Sequence, residues 1–96
     1  MGKFLQTKFE LGQLVLTRGA VEVLSDAGES YWGYLVRHAK GDWGKLCAED
    51  KAQNDAAISK RGAWLMSAYN LATGDEIWII TDGSQGTTTV LLPSEY

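Results

Sequence analysis

The stretch that decides the fold is EIWIIT at Glu76–Thr81, followed by the turn DGSQG at 82–86 and by TTTVLL at Thr87–Leu92. Both runs have high strand propensity, and glycine stands in the turn between them, which is typical of a β-hairpin. Pro93 ends the second run because proline cannot donate a hydrogen bond to a ladder. A mixed aromatic and small-residue run at 63–70 precedes another short turn that contains glycine. The sequence therefore predicts a three-stranded antiparallel meander in the C-terminal part of the chain.

The middle strand of this meander is apolar on both faces. Ile77 and Ile79 belong to one face, and Trp78 and Ile80 to the other, whereas a sheet with one wet face alternates apolar and polar residues. We therefore expect helices to pack on one face and a partner to contact the other face or an edge. A second copy of the chain is the first candidate for that partner, which would make the protein a homodimer.

Apolar residues at helical spacing predict two short helices before the meander. A β-prone run at 13–16 comes first, and Thr17 then provides an N-cap for a helix of about ten residues that Gly28 ends. Ser30 is placed to cap the second helix, which ends at Gly41. The apolar side of this second helix includes the single histidine of the chain.

A third helix is predicted from Trp43 to Ser59, with Asp42 as its N-cap because a carboxylate suits the positive end of the helix dipole. Its inward face is predicted to hold Trp43, Leu46, Cys47, Asp50, Asn54, Ala57 and Ile58. The whole chain, 1–96, then forms one domain, with 1–9 as a loose N-terminal arm. The predicted fold is α+β with two layers in the order β-α-α-α-β-β-β, the helices packed on one face of the sheet.

Composition excludes several classes of protein. Nine Lys and Arg against twelve Asp and Glu give a net charge of −3, which argues against a general binder of nucleic acid or of anionic membranes. The single cysteine, Cys47, excludes an internal disulfide framework. Apolar runs fall far short of the roughly 20 residues of a membrane helix, and the N-terminus lacks the pattern of a signal peptide. We therefore expect a cytoplasmic protein without a membrane anchor.

Three polar residues fall on faces that the helical spacing assigns to the core: His38, Asp50 and Asn54. A carboxylate that orients an imidazole is an arrangement used in general-base catalysis, so one hypothesis is a small hydrolase or nuclease that uses these three residues. The other hypothesis is an internal hydrogen-bond network without catalytic function. We favour the network, because buried polar groups in small domains are most often structural ties.

The sequence predicts neither a metal site nor a cofactor. No spacing of the H-E-x-x-H kind is present among its histidine and acidic residues. Gly83–Gly86 lies between two strands, so it lacks the helix N-terminus that cradles a phosphate and is interpreted as a hairpin turn.

A binding surface is predicted from aromatic and basic residues. Arg37, Lys40 and Lys45 cluster near Trp32 and Trp43, which leaves a nucleic-acid-binding module as a further alternative, although acidic residues dilute this patch. Tryptophan is enriched at interfaces, so at least one of the four tryptophans is expected to anchor a partner. The residues predicted to form the binding surface are Trp32, Trp43, Arg37, Lys40 and Trp78.

Several stretches together resemble a family of short bacterial plasmid-related proteins, which are encoded on plasmids and integrated mobile elements and are sometimes labelled type I restriction enzyme subunit M. The stretches are HAKGDWG at 38–44, Glu49-Asp50 with Asn54, SAY at 67–69, IWIIT at 77–81 and TTTVLLPSEY at 87–96. The resemblance implies an accessory protein of a mobile element that acts by protein–protein binding, for example on a host or defence complex. A DNA methyltransferase needs a doubly wound cofactor-binding sheet, which this short chain does not hold.

Overall fold

One short strand and three helices precede the three remaining strands of the chain. The structure is a computed structural model, and it describes residues 7–96. In chain order the elements are β1 (Gln13–Leu16), α1 (Arg18–Ala27), α2 (Tyr31–Ala39), α3 (Ala48–Ala57), β2 (Trp64–Asn70), β3 (Glu76–Asp82), β4 (Thr87–Leu91) and a final 3₁₀ turn (Pro93–Glu95). This order is the predicted one, so the α+β class is confirmed.

The four strands form one mixed sheet in the order β1-β4-β3-β2. β2, β3 and β4 are antiparallel neighbours, which confirms the meander. β1 pairs in parallel with β4, and Leu16 lies opposite Val90. A parallel pair needs a long crossover connection, and here all three helices and two strands lie between the paired segments. β3 is an interior strand, consistent with its two apolar faces.

Side-chain caps begin α1 and α2 where the sequence predicts them. Thr17 Oγ1 accepts a hydrogen bond from a first-turn N–H at 3.2 Å, and Gly28 ends α1 with a φ of 68°. Ser30 Oγ caps α2 in the same way at 3.1 Å, and Gly41 follows that helix with a φ of 85°. Positive φ is accessible to glycine at little cost, which explains its use at these ends. Within residues 7–96, no helix is long and apolar enough to cross a bilayer.

The third helix begins at Ala48, so the predicted start at Trp43 is wrong. Asp42 Oδ1 accepts from the Gly44 N–H at 3.1 Å, but this bond closes a turn and does not open a helix. Gly44 has a φ of 73°, and a Cβ at this position would lie 1.9 Å from the carbonyl oxygen of Ala68. The backbone leaves the helical conformation here because it pairs with β2 through an isolated bridge.

The later start of α3 changes which of its residues are buried. Trp43 and Asn54 are buried as predicted, whereas Cys47 and Asp50 are exposed, contrary to the prediction. Asn54 Nδ2 donates to the carbonyl oxygen of Met66 at 2.7 Å. α3 therefore lies along the outer edge of β2.

The core lies between the sheet and the first two helices. It contains Ala20, Leu24, Leu35, Tyr69, Leu71, Ile77, Ile79 and Val90. Ile77, Ile79 and Val90 are completely buried, and each such side chain contributes about 1.5–3 kcal/mol relative to an exposed one. The prediction that helices pack on one face of the sheet is thus confirmed for α1 and α2.

The predicted arm at 1–9 falls partly outside the structure, because residues 1–6 are not among those it describes. The N–H of Lys8 donates to the carbonyl of Ala39 at 2.8 Å. The ring of Phe9 packs edge-on against His38 and stacks on Trp43, with centroid distances of 5.2 and 6.0 Å. Residues 7–9 are therefore attached to the domain.

Candidate functional site

His38, the first candidate catalytic residue, is completely buried between α2 and the sheet. Its Nδ1 is hydrogen bonded to Ser67 Oγ on β2, and its Nε2 to Thr81 Oγ1 on β3 at 2.9 Å. The rings of Phe9 and Trp43 pack edge-on around it, with centroids 5.2 and 5.6 Å away. Both ring nitrogens are therefore hydrogen bonded to hydroxyl groups, and two aromatic rings pack against the imidazole.

The hydrogen bonds around His38 run in one direction. Thr88 Oγ1 donates its single proton to the carbonyl of Leu11 at 2.6 Å. Thr81 Oγ1 must therefore donate to Thr88, at 2.7 Å, and accept from the imidazole. His38 accordingly carries its proton on Nε2, and its Nδ1 accepts from the Ser67 hydroxyl. The backbone carbonyl at the far end of this network thus determines the tautomer.

Burial lowers the pKa of His38 from 6.5 to about 3, because the charged form would lose its hydration. The imidazole is therefore neutral at physiological pH. A general base must reach the proton that it removes, and this ring is enclosed. Within residues 7–96 every buried side-chain nitrogen and oxygen has a hydrogen-bond partner. The arrangement joins α2 to two strands and fits a structural tie.

The structure separates the other two candidate catalytic residues from His38. Asp50 is exposed on α3, and Asn54 lies one turn further along the same helix. Both line a cleft between α3 and β2, whose lining residues do not include His38. The hydrolase hypothesis therefore lacks a single cavity in which these three side chains meet.

The segment 42–45, most of which belongs to the HAKGDWG stretch at 38–44, pairs with the edge of β2. The carbonyl of Trp43 accepts from the N–H of Ala68 at 3.2 Å, and the N–H of Lys45 donates to the carbonyl of Ala68 at 2.8 Å. The indole of Trp43 donates to Asp55 at 2.9 Å. Trp43 is only 3% exposed, so it belongs to the interior and not to the binding surface predicted for it.

The basic corner is partly neutralised by ion pairs. Arg37 Nε lies 2.7 Å from Asp42 Oδ2, and Lys45 Nζ lies 3.1 Å from Glu76 Oε1. Lys40 is exposed at the end of α2. The positive charge that a nucleic-acid surface requires is therefore reduced at this corner.

The two remaining predicted binding residues lie on different layers of the molecule. Trp32 is 51% exposed on α2, beside a small apolar hollow of about 50 Å³. Trp78 is half-buried on β3, on the opposite side of the sheet from Ile77 and Ile79. The predicted binding residues therefore do not form one continuous surface.

The open face of the sheet is the face that lies opposite α1 and α2. The strand register brings residues of all four strands together on it, with Val15 opposite Thr89, Thr89 opposite Ile80, and Ile80 opposite Met66. Its apolar side chains are Val15, Trp64, Met66, Ala68, Trp78, Ile80 and Leu91, of which Ala68, Ile80 and Leu91 are buried and the other four are at least partly exposed. Neither of the helices that build the core contributes to this face.

Tyr96 joins two tryptophans of the open face into a line of three rings, the aromatic row. The Tyr96 centroid lies 6.4 Å from that of Trp64 and 5.6 Å from that of Trp78, and both pairs are inclined at 64°. The indole of Trp78 donates to Glu76 at 2.8 Å, which fixes its orientation. Trp64 and Tyr96 are 47% and 73% exposed. Exposed aromatic groups that lie next to one another are typical of interaction surfaces.

A cleft of about 360 Å³, the α3 cleft, adjoins the aromatic row. It is lined by Leu46, Asp50, Gln53, Asn54, Ala57, Trp64 and Met66. Trp64 belongs to both the cleft and the row, so the two are continuous. Asp50 is the one ionisable side chain among these lining residues, and the rest of the lining offers apolar groups and two side-chain amides.

A second cleft, of about 340 Å³, lies at the end of the sheet near the β3–β4 turn. Its charged lining residues are the cations Lys60 and Arg61 and the anions Glu10 and Asp82. The carboxylate of Asp82 already accepts from the N–H and the hydroxyl of Ser84. This cleft thus presents no single sign of charge to a ligand.

The described part of the chain contains no group of three or more His, Cys, Asp and Glu side chains placed to hold a metal ion. No protein-family model, curated protein or solved structure matches the chain.

Sequence reasoning missed the aromatic row. Counting residues back from the β2–β3 turn pairs Ala68 with Trp78 and Trp64 with Asp82, so the shared face of the two tryptophans was available from the hairpin register. No comparable pattern in the sequence indicates the position of Tyr96. It depends on the final 3₁₀ turn, which brings the end of the chain back across the sheet.

Proposed function

We propose that this chain is a protein-binding module that acts without catalysis, through the open face of its sheet. The observation that carries the proposal is the aromatic row, whose Trp64 and Tyr96 keep about half and three quarters of their surface exposed. Trp and Tyr are the side chains that most often anchor protein interfaces, since they bury a large area with few rotatable bonds. The row also stands next to a cleft, which allows a partner to insert a side chain.

The burial of His38 supports the same choice between the hypotheses. Its ring is neutral, enclosed and hydrogen bonded to Ser67 and Thr81, whereas Asp50 and Asn54 line a separate cleft. The ion pairs of Arg37 and Lys45 weigh against the nucleic-acid alternative. The net charge of −3 points in the same direction.

The resemblance to plasmid-related proteins supports a biological setting for this binding. In that setting the chain is an accessory protein of a mobile element in the cytoplasm, and its partner is a protein of the host or of a defence complex. The free thiol of Cys47 is exposed, which suits a reducing compartment.

The proposal is tested by affinity capture from the host cell with a tagged chain and two matched variants. The first variant, Trp64→Ala with Tyr96→Ala, removes two exposed rings of the aromatic row. The second, Trp32→Ala, removes an equally exposed tryptophan from the helix layer. Circular dichroism and thermal unfolding establish that both variants are folded.

We expect the wild-type chain and the Trp32→Ala variant to recover the same stoichiometric partner. The variant of the aromatic row should recover at least about ten-fold less, the loss expected from removing interface anchors. Equal recovery by a folded variant of the aromatic row would contradict the proposal.

A further inference from the structure

We infer that the α3 cleft receives an arginine or lysine side chain of the protein partner, an inference that rests on the proposed binding function of the open face. The partner is thus expected to present a basic segment with apolar residues next to the charge. The inference gives a role to Asp50 that is independent of His38.

The shape and lining of the α3 cleft suit a long cationic side chain. Its volume of about 360 Å³ lies within the range of clefts that bind ligands. The apolar side chains of Leu46, Ala57 and Met66 can contact the aliphatic stem of arginine or lysine, which such residues readily bury while the charged end stays polar. The side-chain oxygen of Gln53 and the carboxylate of Asp50, both on α3, can accept hydrogen bonds from the charged end.

Charge complementarity selects a cation over other occupants. Asp50 is the one ionisable side chain of the cleft, and Trp64 presents a ring at its boundary. A cation over an indole ring is attracted by the electrons of the ring, and arginine can also donate two hydrogen bonds to a carboxylate. The nearby cations Lys60 and Arg61 line the second cleft. An anionic side chain would face Asp50 without a counter-charge.

A second copy of the chain is a poorer occupant of this surface. The open face is four strands wide, at a spacing of about 4.8 Å, and about five residues long, at about 3.3 Å per residue. Its flat area is therefore roughly 320 Å², well below the roughly 800 Å² that each partner of a standard interface buries. A flexible basic segment can cover the open face and also enter the cleft.

The test uses two peptides and two variants of the full chain, followed by ¹⁵N NMR. The probe is the acetylated and amidated peptide ALRLA, and its control carries the neutral isostere citrulline in place of arginine. Asp50→Asn removes the carboxylate of the cleft. Glu49→Gln removes the same charge from the neighbouring exposed position of α3, outside the cleft lining, and is therefore the matched control.

We expect the arginine peptide to shift the indole N–H of Trp64 and the side-chain amide of Asn54, and the citrulline peptide to bind at least about ten-fold more weakly. Asp50→Asn should abolish that difference, whereas Glu49→Gln should preserve it. Equal binding of the two peptides to the wild-type chain would overturn the inference. So would the absence of shifts at these two groups with about 10 mM peptide, a concentration that detects a millimolar Kd.

Failure of this inference can be told apart from failure of the proposed function. If the variant of the aromatic row loses its partner while Asp50→Asn keeps it at full affinity, the open face binds a protein but the cleft does not take a cation. If both variants keep the partner, the open face is not the binding surface.

Discussion

His38 is a polar ring in the interior of the domain, and its hydroxyl partners make that position stable. A buried polar group without partners costs roughly 2–7 kcal/mol, depending on the reference state. Ser67, Thr81 and Thr88 provide the partners, and the network ends on the carbonyl of Leu11. Each hydroxyl has one proton, so every bond in the network depends on the next.

Removing one hydroxyl from this network should destabilise the protein. Thr81→Val keeps the shape of the side chain but leaves the Nε2–H of His38 without an acceptor, so we expect the free energy of unfolding to fall by about 1–3 kcal/mol. Thr89→Val, on the open face two residues along from Thr87, is the control and should change it by less than about 0.5 kcal/mol. Urea denaturation measures both. Equal effects of the two substitutions would contradict the network.

The stability of the protein should fall as the pH falls below 7, because of His38. Its pKa is 6.5 when exposed and about 3 when folded, so the unfolded chain binds the proton first and protonation favours unfolding. The expected loss between about pH 7 and pH 5 is about 2 kcal/mol. The pKa values of Glu29 and Glu76 are also lowered in the folded chain, from an ordinary value of 4.5. Protonation of these two carboxylates therefore also favours unfolding, but mainly below this pH range.

The measurement is the free energy of unfolding at several pH values for the wild-type chain and for His38→Gln. The free energy of unfolding of the variant should no longer fall between about pH 7 and pH 5, whatever its absolute value. A variant that keeps the wild-type slope would assign the pH dependence to another group.

Local spacing could predict that His38 is buried, but it could not predict the partners. The histidine falls on the apolar side of α2, and this prediction of an inward position agrees with its complete burial. Ser67 and Thr81 are 29 and 43 residues away along the chain, so they meet the imidazole only when α2 packs on the sheet. Asp50 was assigned to the same cluster from a helix start that the structure does not show.

At the scale of elements, α3 is the least regular part of the fold. The segment before it pairs with the edge of β2, and this contact requires the left-handed backbone of Gly44. Trp43 and Lys45 exchange hydrogen bonds with Ala68 on either side of that glycine. These bonds cover part of the edge of the sheet, which would otherwise offer unpaired backbone groups to other chains.

Two glycine substitutions should have opposite effects on stability. Gly44→Ala places a Cβ 1.9 Å from a backbone oxygen at a φ of 73°, so we expect a loss of about 2–4 kcal/mol. Gly33→Ala lies in α2, where an added Cβ has no atom within 4 Å, and it should stabilise the helix by about 0.5–1 kcal/mol. Thermal unfolding measures both changes. A neutral Gly44→Ala would show that the bridge to β2 is not required.

The elements that follow from local signals agree with the structure, and the exception has a physical cause. Thr17, Gly28 and Ser30 determine helix ends through caps that the sequence displays. Asp42 and Trp43 show an equally clear signal for the start of a helix, but the pairing of Gly44 with β2 prevents a helix from beginning there. The parallel pairing of β1 with β4 likewise joins segments that are distant in the chain, and no local pattern indicates it.

At the scale of the whole molecule, the two sides of the sheet differ. One side is covered by α1 and α2, and the other exposes the aromatic row beside the α3 cleft. The apolar character of both faces of β3 predicted that something covers the second face. The sequence could not show that the final residue, Tyr96, partly does so, or that exposed aromatic surface remains.

The purified chain should be a monomer of 10.5 kDa at concentrations of tens of micromolar. The flat area of the open face is too small for a stable dimer of two copies. Sedimentation velocity measures the mass in solution. A stable dimer that Trp64→Ala with Tyr96→Ala converts to a monomer would instead make a second copy the partner of this face.

The central claim, that the open face binds a protein, is tested most directly by site-specific photocrosslinking in the host cell. A photoreactive benzoylphenylalanine replaces Thr89, which lies on the open face between Val15 and Ile80, or Asp26, which is exposed on α1. We predict one crosslinked product of defined mass from position 89 and none from position 26. Products from position 26 alone, or none from position 89, would contradict the account.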